Sequence, residues 1–173
     1  IVGFTNISEK MHPRDVMQLL SEYQTLMVDA IFANNGTVDK FIGDAVMANF
    51  GTPQSHGNDA QNAFDCALEM QRKMVEWNIS RRAEGLPEVT HRIGIHCGSC
   101  VVGNVGSEQR LEFAVVGDVV NVASRICDAG KTIGSDFVIS ADLFNRLETN
   151  ENFQKIKNFQ IRGRKEPIDL MAR

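Results

Sequence analysis

The chain has 173 residues, 43% of them hydrophobic and 23% charged, with a formal net charge of −4. This length suits a single domain with a full core, and the acidic balance argues against a general nucleic-acid binder, which needs a basic surface to neutralise phosphates. No apolar run reaches the roughly 18 residues of a membrane span, and no secretory signal opens the chain.

Its opening, IVGFTNISEK, has no initiator methionine and no polar lead-in. Ile1 and Val2 look like the end of a strand, so the chain reads as a fragment whose parent protein carries more on the N-terminal side. Pro13 suits the first turn of a helix. From there Val16, Leu19, Leu20, Tyr23, Leu26, Met27, Ala30 and Ile31 follow an amphipathic stripe. Asn34, Asn35 and Gly36 end it, since both residue types tolerate a left-handed C-cap. Residues 37–42 and 45–50 are short strand candidates meeting at Gly43-Asp44, a hairpin signal. A second long helix is expected from about Asp59 to Arg82, with Ala63, Phe64, Ala67, Met70, Met74 and Trp77 available for burial.

Residues 91–96 and 100–106 are strand-like, and 110–116 forms a strand returning after a polar turn. Residues 117–127 open with Asp118 as an N-cap and continue as a helix, with Val119, Val120, Ala123 and Ile126 able to bury. A strand at 136–140, a helix at 141–148, and strands near 153–162 and 167–171 complete the chain. Helices interleaved with short strands, several joined as hairpins, indicate an α+β sandwich with helices on a mainly antiparallel sheet. The four cysteines, Cys66, Cys97, Cys100 and Cys127, make no disulfide framework for a domain of this size, which points to a reducing compartment. Cys97 and Cys100 form a lone C-x-x-C without the second pair or the histidines of a zinc site, and it reads as structural.

Asp44 would project from the rim of the sheet. A magnesium ion takes one or two carboxylates plus substrate phosphates, although an aspartate at a hairpin tip is by itself commonly a turn former. Asp118, Asn121 and Arg125 share one helical face by their i, i+3, i+7 spacing. A solvated face is the bland reading; orienting a ribose and stabilising phosphoryl charge is the sharp one. Arg162, Arg164 and Lys165 in IRGRKEP read either as a surface loop or as a triphosphate clamp.

Four segments, in order and across essentially the whole chain, resemble the catalytic domain of class III adenylyl and guanylyl cyclases: IVGFT, DKFIGDAVMANFG, HRIGIHCGSCVVGNVGS and FAVVGDVVNVASRI. The resemblance implies a ferredoxin-like sandwich over residues 1–173 and a cyclase converting ATP to 3′,5′-cyclic AMP and pyrophosphate. Two divalent metal ions, Mg2+ or Mn2+, are implied. Asp44 would be the second of two metal aspartates. The first would immediately precede Ile1, which would lend its backbone carbonyl, and a chain that truly began at Ile1 would be nearly inactive.

Lys40 stands where family members read the purine. A lysine there donates to adenine N1, whereas guanylyl cyclases resemble one another in having glutamate. Asn121 would orient the ribose, Arg125 would stabilise the α-phosphate, and Phe4 and Thr5 would start a triphosphate-cradling loop. Two positions depart from the pattern. Ala114 replaces the usual aspartate or threonine facing the 6-amino group, and Arg162 replaces the triphosphate lysine. The resemblance further implies a homodimer with sites shared between chains, an upstream regulatory domain that is either a sensor or a membrane domain, and a cytoplasmic location for this catalytic domain. Rival readings are a guanylyl or mixed-specificity cyclase, and an inactive domain that binds nucleotide or only dimerises.

Overall fold

The computed structural model describes residues 1–107, 109–149 and 151–173. In chain order it contains α1 (Phe4–Ser8), α2 (Pro13–Ala33), β1 (Gly36–Ile42), β2 (Ala45–Phe50), α3 (Asp59–Ala83), β3 (Ile93–Ile95), β4 (Val101–Ser107), β5 (Arg110–Val116), α4 (Asp118–Ile133), β6 (Phe137–Ser140), α5 (Ala141–Phe144), β7 (Gln154–Phe159) and β8 (Ile168–Ala172). The strands pair as β1-β2, as β4-β5, and as a four-stranded sheet ordered β3-β6-β8-β7. Every pairing is antiparallel except β3 with β6.

Period-two alternation builds the sandwich. On β6, Val138 turns toward α4 and packs with Val122, Ile126 and Ala129. Its neighbours Phe137 and Ile139 turn the other way, toward Phe64 and Ala67 of α3. The sheet is therefore buried on both faces. Gly94 on β3 lets α4 settle directly on the sheet, because a Cβ there would lie 2.3 Å from the backbone nitrogen of Cys127.

A second group joins the two long helices. Leu19, Tyr23 and Met27 of α2 pack with Met74 of α3 and with Val89. One turn further, Ala30, Ile31 and Cys66 support the underside of the β1–β2 hairpin through Val38, Val46, Ala48 and Phe50. Pro13 stands at the start of α2, and Asn35 takes the left-handed conformation just past its end, at φ 59°.

Several sequence expectations need correction. Asp118 is the first residue of α4 rather than its cap: Gly117 holds the cap position and no side chain bonds the helix start. On α4 the fully buried positions are Val122, Ile126, Ala129 and Gly130; Val119, Val120 and Ala123 are only partly covered. The helix expected at 141–148 spans four residues, started by the Ser140 hydroxyl accepting from the Leu143 amide. The strand expected near 153–162 stops at Phe159, after Asn158 enters the left-handed region at φ 53°. Ile1 and Val2 are not part of a strand, although the Val2 amide donates to the Thr90 carbonyl at 2.8 Å. Glu108, in the expected polar turn, lies outside the described residues.

Candidate active site

The β1–β2 hairpin closes with Ile42 opposite Ala45, leaving Gly43 and Asp44 as a two-residue turn. Gly43 sits at φ 61°, a conformation that glycine adopts without the cost other residues meet. The turn lifts the Asp44 carboxylate to the rim, 26% exposed, where its Oδ2 lies 2.7 Å from the backbone nitrogen of Ile1. Ile1 itself is anchored below, against the cluster of Leu19, Tyr23 and Val89.

Phe4 and Thr5 follow Gly3, which is left-handed at φ 68°. They are the first residues of α1 itself, not the start of a loop. Their amides fall in a first turn, where N–H groups have no preceding carbonyl within the helix.

Lys40 lies three residues before the turn. Its Nζ donates to Glu112 Oε1 on β5 at 2.7 Å and stands 3.6 Å from Asp39 Oδ2. The hydrogen bond to Glu112 is the main reason its pKa rises. Ala114 follows Glu112 by two residues, so their side chains share a face of β5. Lys40 and Ala114, the expected base-reading pair, thus lie on two separate hairpins that the Lys40–Glu112 bond links. Glu112 and Asp39 were not singled out from the sequence. Only the two-residue spacing of Glu112 from Ala114 could have pointed to the first.

On α4, Asn121 is exposed and Arg125 half-buried, while Val122 and Ile126 anchor the opposite face. The Arg125 guanidinium lies against Gly163, so near that a Cβ on Gly163 would come within 2.9 Å of its Nη1. Arg164 Nη1 approaches Asp118 Oδ2 at 3.7 Å. The IRGRKEP segment and the polar face of α4 therefore form one basic edge, with Arg162 exposed beside Gly163. Behind it, His96 Nδ1 is 2.8 Å from the Ser140 hydroxyl, and burial lowers its pKa.

The described contacts do not join Asp44 to Lys40, Asn121 or Arg125. Among the described residues, no group of three or more His, Cys, Asp or Glu is placed to cage a metal ion. A concavity of about 610 Å³ lies elsewhere, lined by Gln61, Phe64, Leu68, Glu148 and Arg173 among others, and contains none of the candidate residues. The acidic tip and the basic edge stand as two open parts.

The chain matches the family model for the adenylate and guanylate cyclase catalytic domain over residues 1–171. It is 36% identical to adenylate cyclase 1 of Rhizobium meliloti, covering 98% of this chain and 26% of that protein. It is also 36% identical to an adenylate cyclase of Anabaena cylindrica, covering 98% and 34% respectively. The chain thus spans about a quarter to a third of the length of these curated relatives. Among solved structures it is similar to the adenylyl cyclase CyaB from P. aeruginosa, with TM-score 0.89 and 29% identity over 99% of this chain and 88% of that one. The guanylyl cyclase Cya2 matches with TM-score 0.89 and 34% identity, covering 99% and 86%. The α+β architecture of helices on mainly antiparallel sheets is the one these cyclases share. By sequence and by fold, the chain belongs to the class III adenylyl and guanylyl cyclase catalytic domain family.

Proposed function

We propose that residues 1–173 form the catalytic domain of an adenylate cyclase that makes cyclic AMP and pyrophosphate from ATP in a homodimer. The 3′-oxygen of the ribose forms a bond to the α-phosphorus as the bond from that phosphorus to the oxygen bridging to the β-phosphate breaks. Two divalent ions, magnesium or manganese, would supply Lewis-acid activation of the hydroxyl and offset triphosphate charge. Asp44 and the Ile1 carbonyl would hold them, together with an acidic residue from outside this sequence. The donor chemistry fits, because a hard cation takes carboxylate and carbonyl oxygens and the Gly43-Asp44 turn holds the Asp44 carboxylate at the rim beside Ile1.

The chain's own side chains would carry the remaining work, which in phosphoryl transfer is mainly positioning and electrostatics. Lys40 donates to adenine N1. Asn121 fixes the ribose, and Arg125 meets the charge that grows on the α-phosphate. Arg162 and the amides of Phe4 and Thr5 receive the triphosphate.

The observation that carries the ATP reading is the Lys40 ammonium, presented toward the Ala114 face of β5 by Glu112. An ammonium donates and cannot accept, which suits adenine N1 and opposes the N1–H of guanine. The separation of the Asp44 tip from the α4 edge supports a site completed by a second copy of the chain. The exposed apolar residues Phe41, Ile42, Leu111 and Phe113 on the two hairpins support the same reading. We further propose that the parent protein carries an upstream regulatory domain, since the relatives are much longer than this chain.

The test is steady-state turnover of ATP and GTP, in magnesium and in manganese, by the full-length protein. ATP should be preferred, and preference for GTP would overturn the assignment. A mixed-specificity cyclase is the second reading, favoured by Ala114, which offers the 6-amino group no acceptor. For the shared site, inactive Asp44→Ala and inactive Arg125→Ala chains should regain about a quarter of wild-type activity when mixed and exchanged, each heterodimer rebuilding one of two sites. If exchange occurs and no activity returns, the sites are not shared.

A further inference from the structure

The register of the β1–β2 hairpin slips once. Val38 faces Ala48 and Lys40 faces Met47, leaving Asp39 as the extra residue of a bulge. A bulge sets two residues of one strand against one of its partner and breaks the alternation of faces. Here it brings two consecutive charges together, the Asp39 carboxylate and the Lys40 ammonium at 3.6 Å. The Asp39 side chain is 2% exposed, whereas that of Lys40 is 35% exposed. Asp39 Oδ2 is buried and makes no hydrogen bond among the described residues. A buried carboxylate with one ion-pair partner among the described residues strongly disfavours losing that partner.

We propose that Asp39 is the positioning residue for Lys40 in base selection. The inference rests on the adenylate cyclase reading and assigns part of its specificity to a residue that does not itself touch the base. An ammonium has three N–H groups. Glu112 takes one, and Asp39 draws the head group back toward the strand, so the direction left for the purine is set from two sides. Glu112 is largely solvated, at 49% exposed, and holds Lys40 through a screened contact. The buried Asp39 adds a second, less screened pull at 3.6 Å. This arrangement also accounts for how a base-reading lysine can be held with alanine at position 114, a side chain that cannot bond it.

The experiment uses the full-length cyclase and compares wild type, Asp39→Asn, Lys40→Met and the double variant, with ATP and GTP kinetics for each. If Lys40 is released, Asp39→Asn should raise KM for ATP about tenfold, with kcat within about twofold and GTP kinetics unchanged. In the Lys40→Met background, Asp39→Asn should change nothing further, because there is no ammonium left to place. Equal losses with ATP and GTP, an unaltered ATP to GTP ratio, or a full effect that persists without Lys40 would each overturn the proposal. If Asp39→Asn gives no folded dimer, Asp39→Glu keeps the charge and displaces it. A ratio reduced about threefold or more then supports the role, and an unchanged ratio overturns it. A wild type without ATP preference would instead remove the reading on which the proposal rests, and the wild-type kinetics reveal this separately.

Discussion

In the four-stranded sheet, Phe137, Val138, Ile139 and Leu170 are at most 1% exposed, because α3 covers one face and α4 the other. On the two hairpins, Phe41, Ile42, Leu111, Phe113 and Val116 remain 48–65% exposed. The sheet is complete within one chain. The hairpins leave apolar side chains open to solvent, and they carry Asp44, Lys40 and Ala114. On the proposed reading, metal and base recognition thus sit apart from the buried sheet, while Asn121 and Arg125 ride on it through α4. Substitutions in one should leave the other's property largely alone.

The sharpest test of that separation is Asp44→Asn. Asparagine suits the same turn, so the thermal midpoint and dimer should be retained while kcat falls about a thousandfold. Circular dichroism melting beside a turnover assay reads both. Near-normal turnover in magnesium would remove Asp44 from the metal site. The converse substitution is Gly94→Ala, which drives a methyl group into the backbone of Cys127. Urea unfolding should show a loss of about 3 kcal/mol, with any surviving folded enzyme keeping its preference between nucleotides. A loss below about 0.5 kcal/mol would mean that α4 is not seated on β3 as described.

Acid should weaken the packing around α2, where His91 Nδ1 lies 3.2 Å from the Tyr23 hydroxyl. Burial pushes His91 down to about 4 from its ordinary 6.5. Above that ordinary value the folded and unfolded chains both hold it neutral, so it has no effect on stability. Between the two values only the unfolded chain binds the proton, and stability falls as pH falls. Unfolding free energy should therefore drop by about 2 kcal/mol between pH 7 and pH 5. His91→Gln should remove most of that slope, with His96, also held low by burial, carrying some of the rest. The smallest effect belongs to Ala114→Thr, which adds a hydroxyl on the hairpin. It should raise the ATP over GTP ratio of kcat/KM about five- to tenfold, or about 1 kcal/mol, without moving the melting midpoint. An unchanged ratio would place position 114 outside the base pocket.

The same division explains what could be read from the sequence. The stripe from Val16 to Ile31 and the Gly43-Asp44 turn are local signals, and both elements formed where expected. Asp118 misled because an aspartate beside a glycine looks like a cap, whereas here the backbone of Gly117 makes the turn into α4 and the carboxylate faces Arg164. Val122 was missed in favour of its neighbours, since four apolar residues in a six-residue window leave the orientation of the helix undetermined until the sheet beneath it is known. The contact of Lys40 with Glu112 spans 72 positions, and no periodicity within either strand encodes it. The resemblance supplied candidate roles for Lys40, Ala114, Asn121 and Arg125. The side chains that hold Lys40 came only from the coordinates.

Strand β8 lies inside its sheet, bonded to β6 on one side and β7 on the other, although it is the last strand in the chain. On a ribosome, the bed on which α4 rests stays open until residues 168–172 have emerged. Leu170 and Ala172 of that strand complete the cluster beneath Val122 and Ile126, which orient Asn121 and Arg125. A nascent chain, or one truncated before residue 168, would present the hairpins without a seated α4. Synthesis itself would thus withhold the proposed nucleotide site until residues 168–172 have been translated.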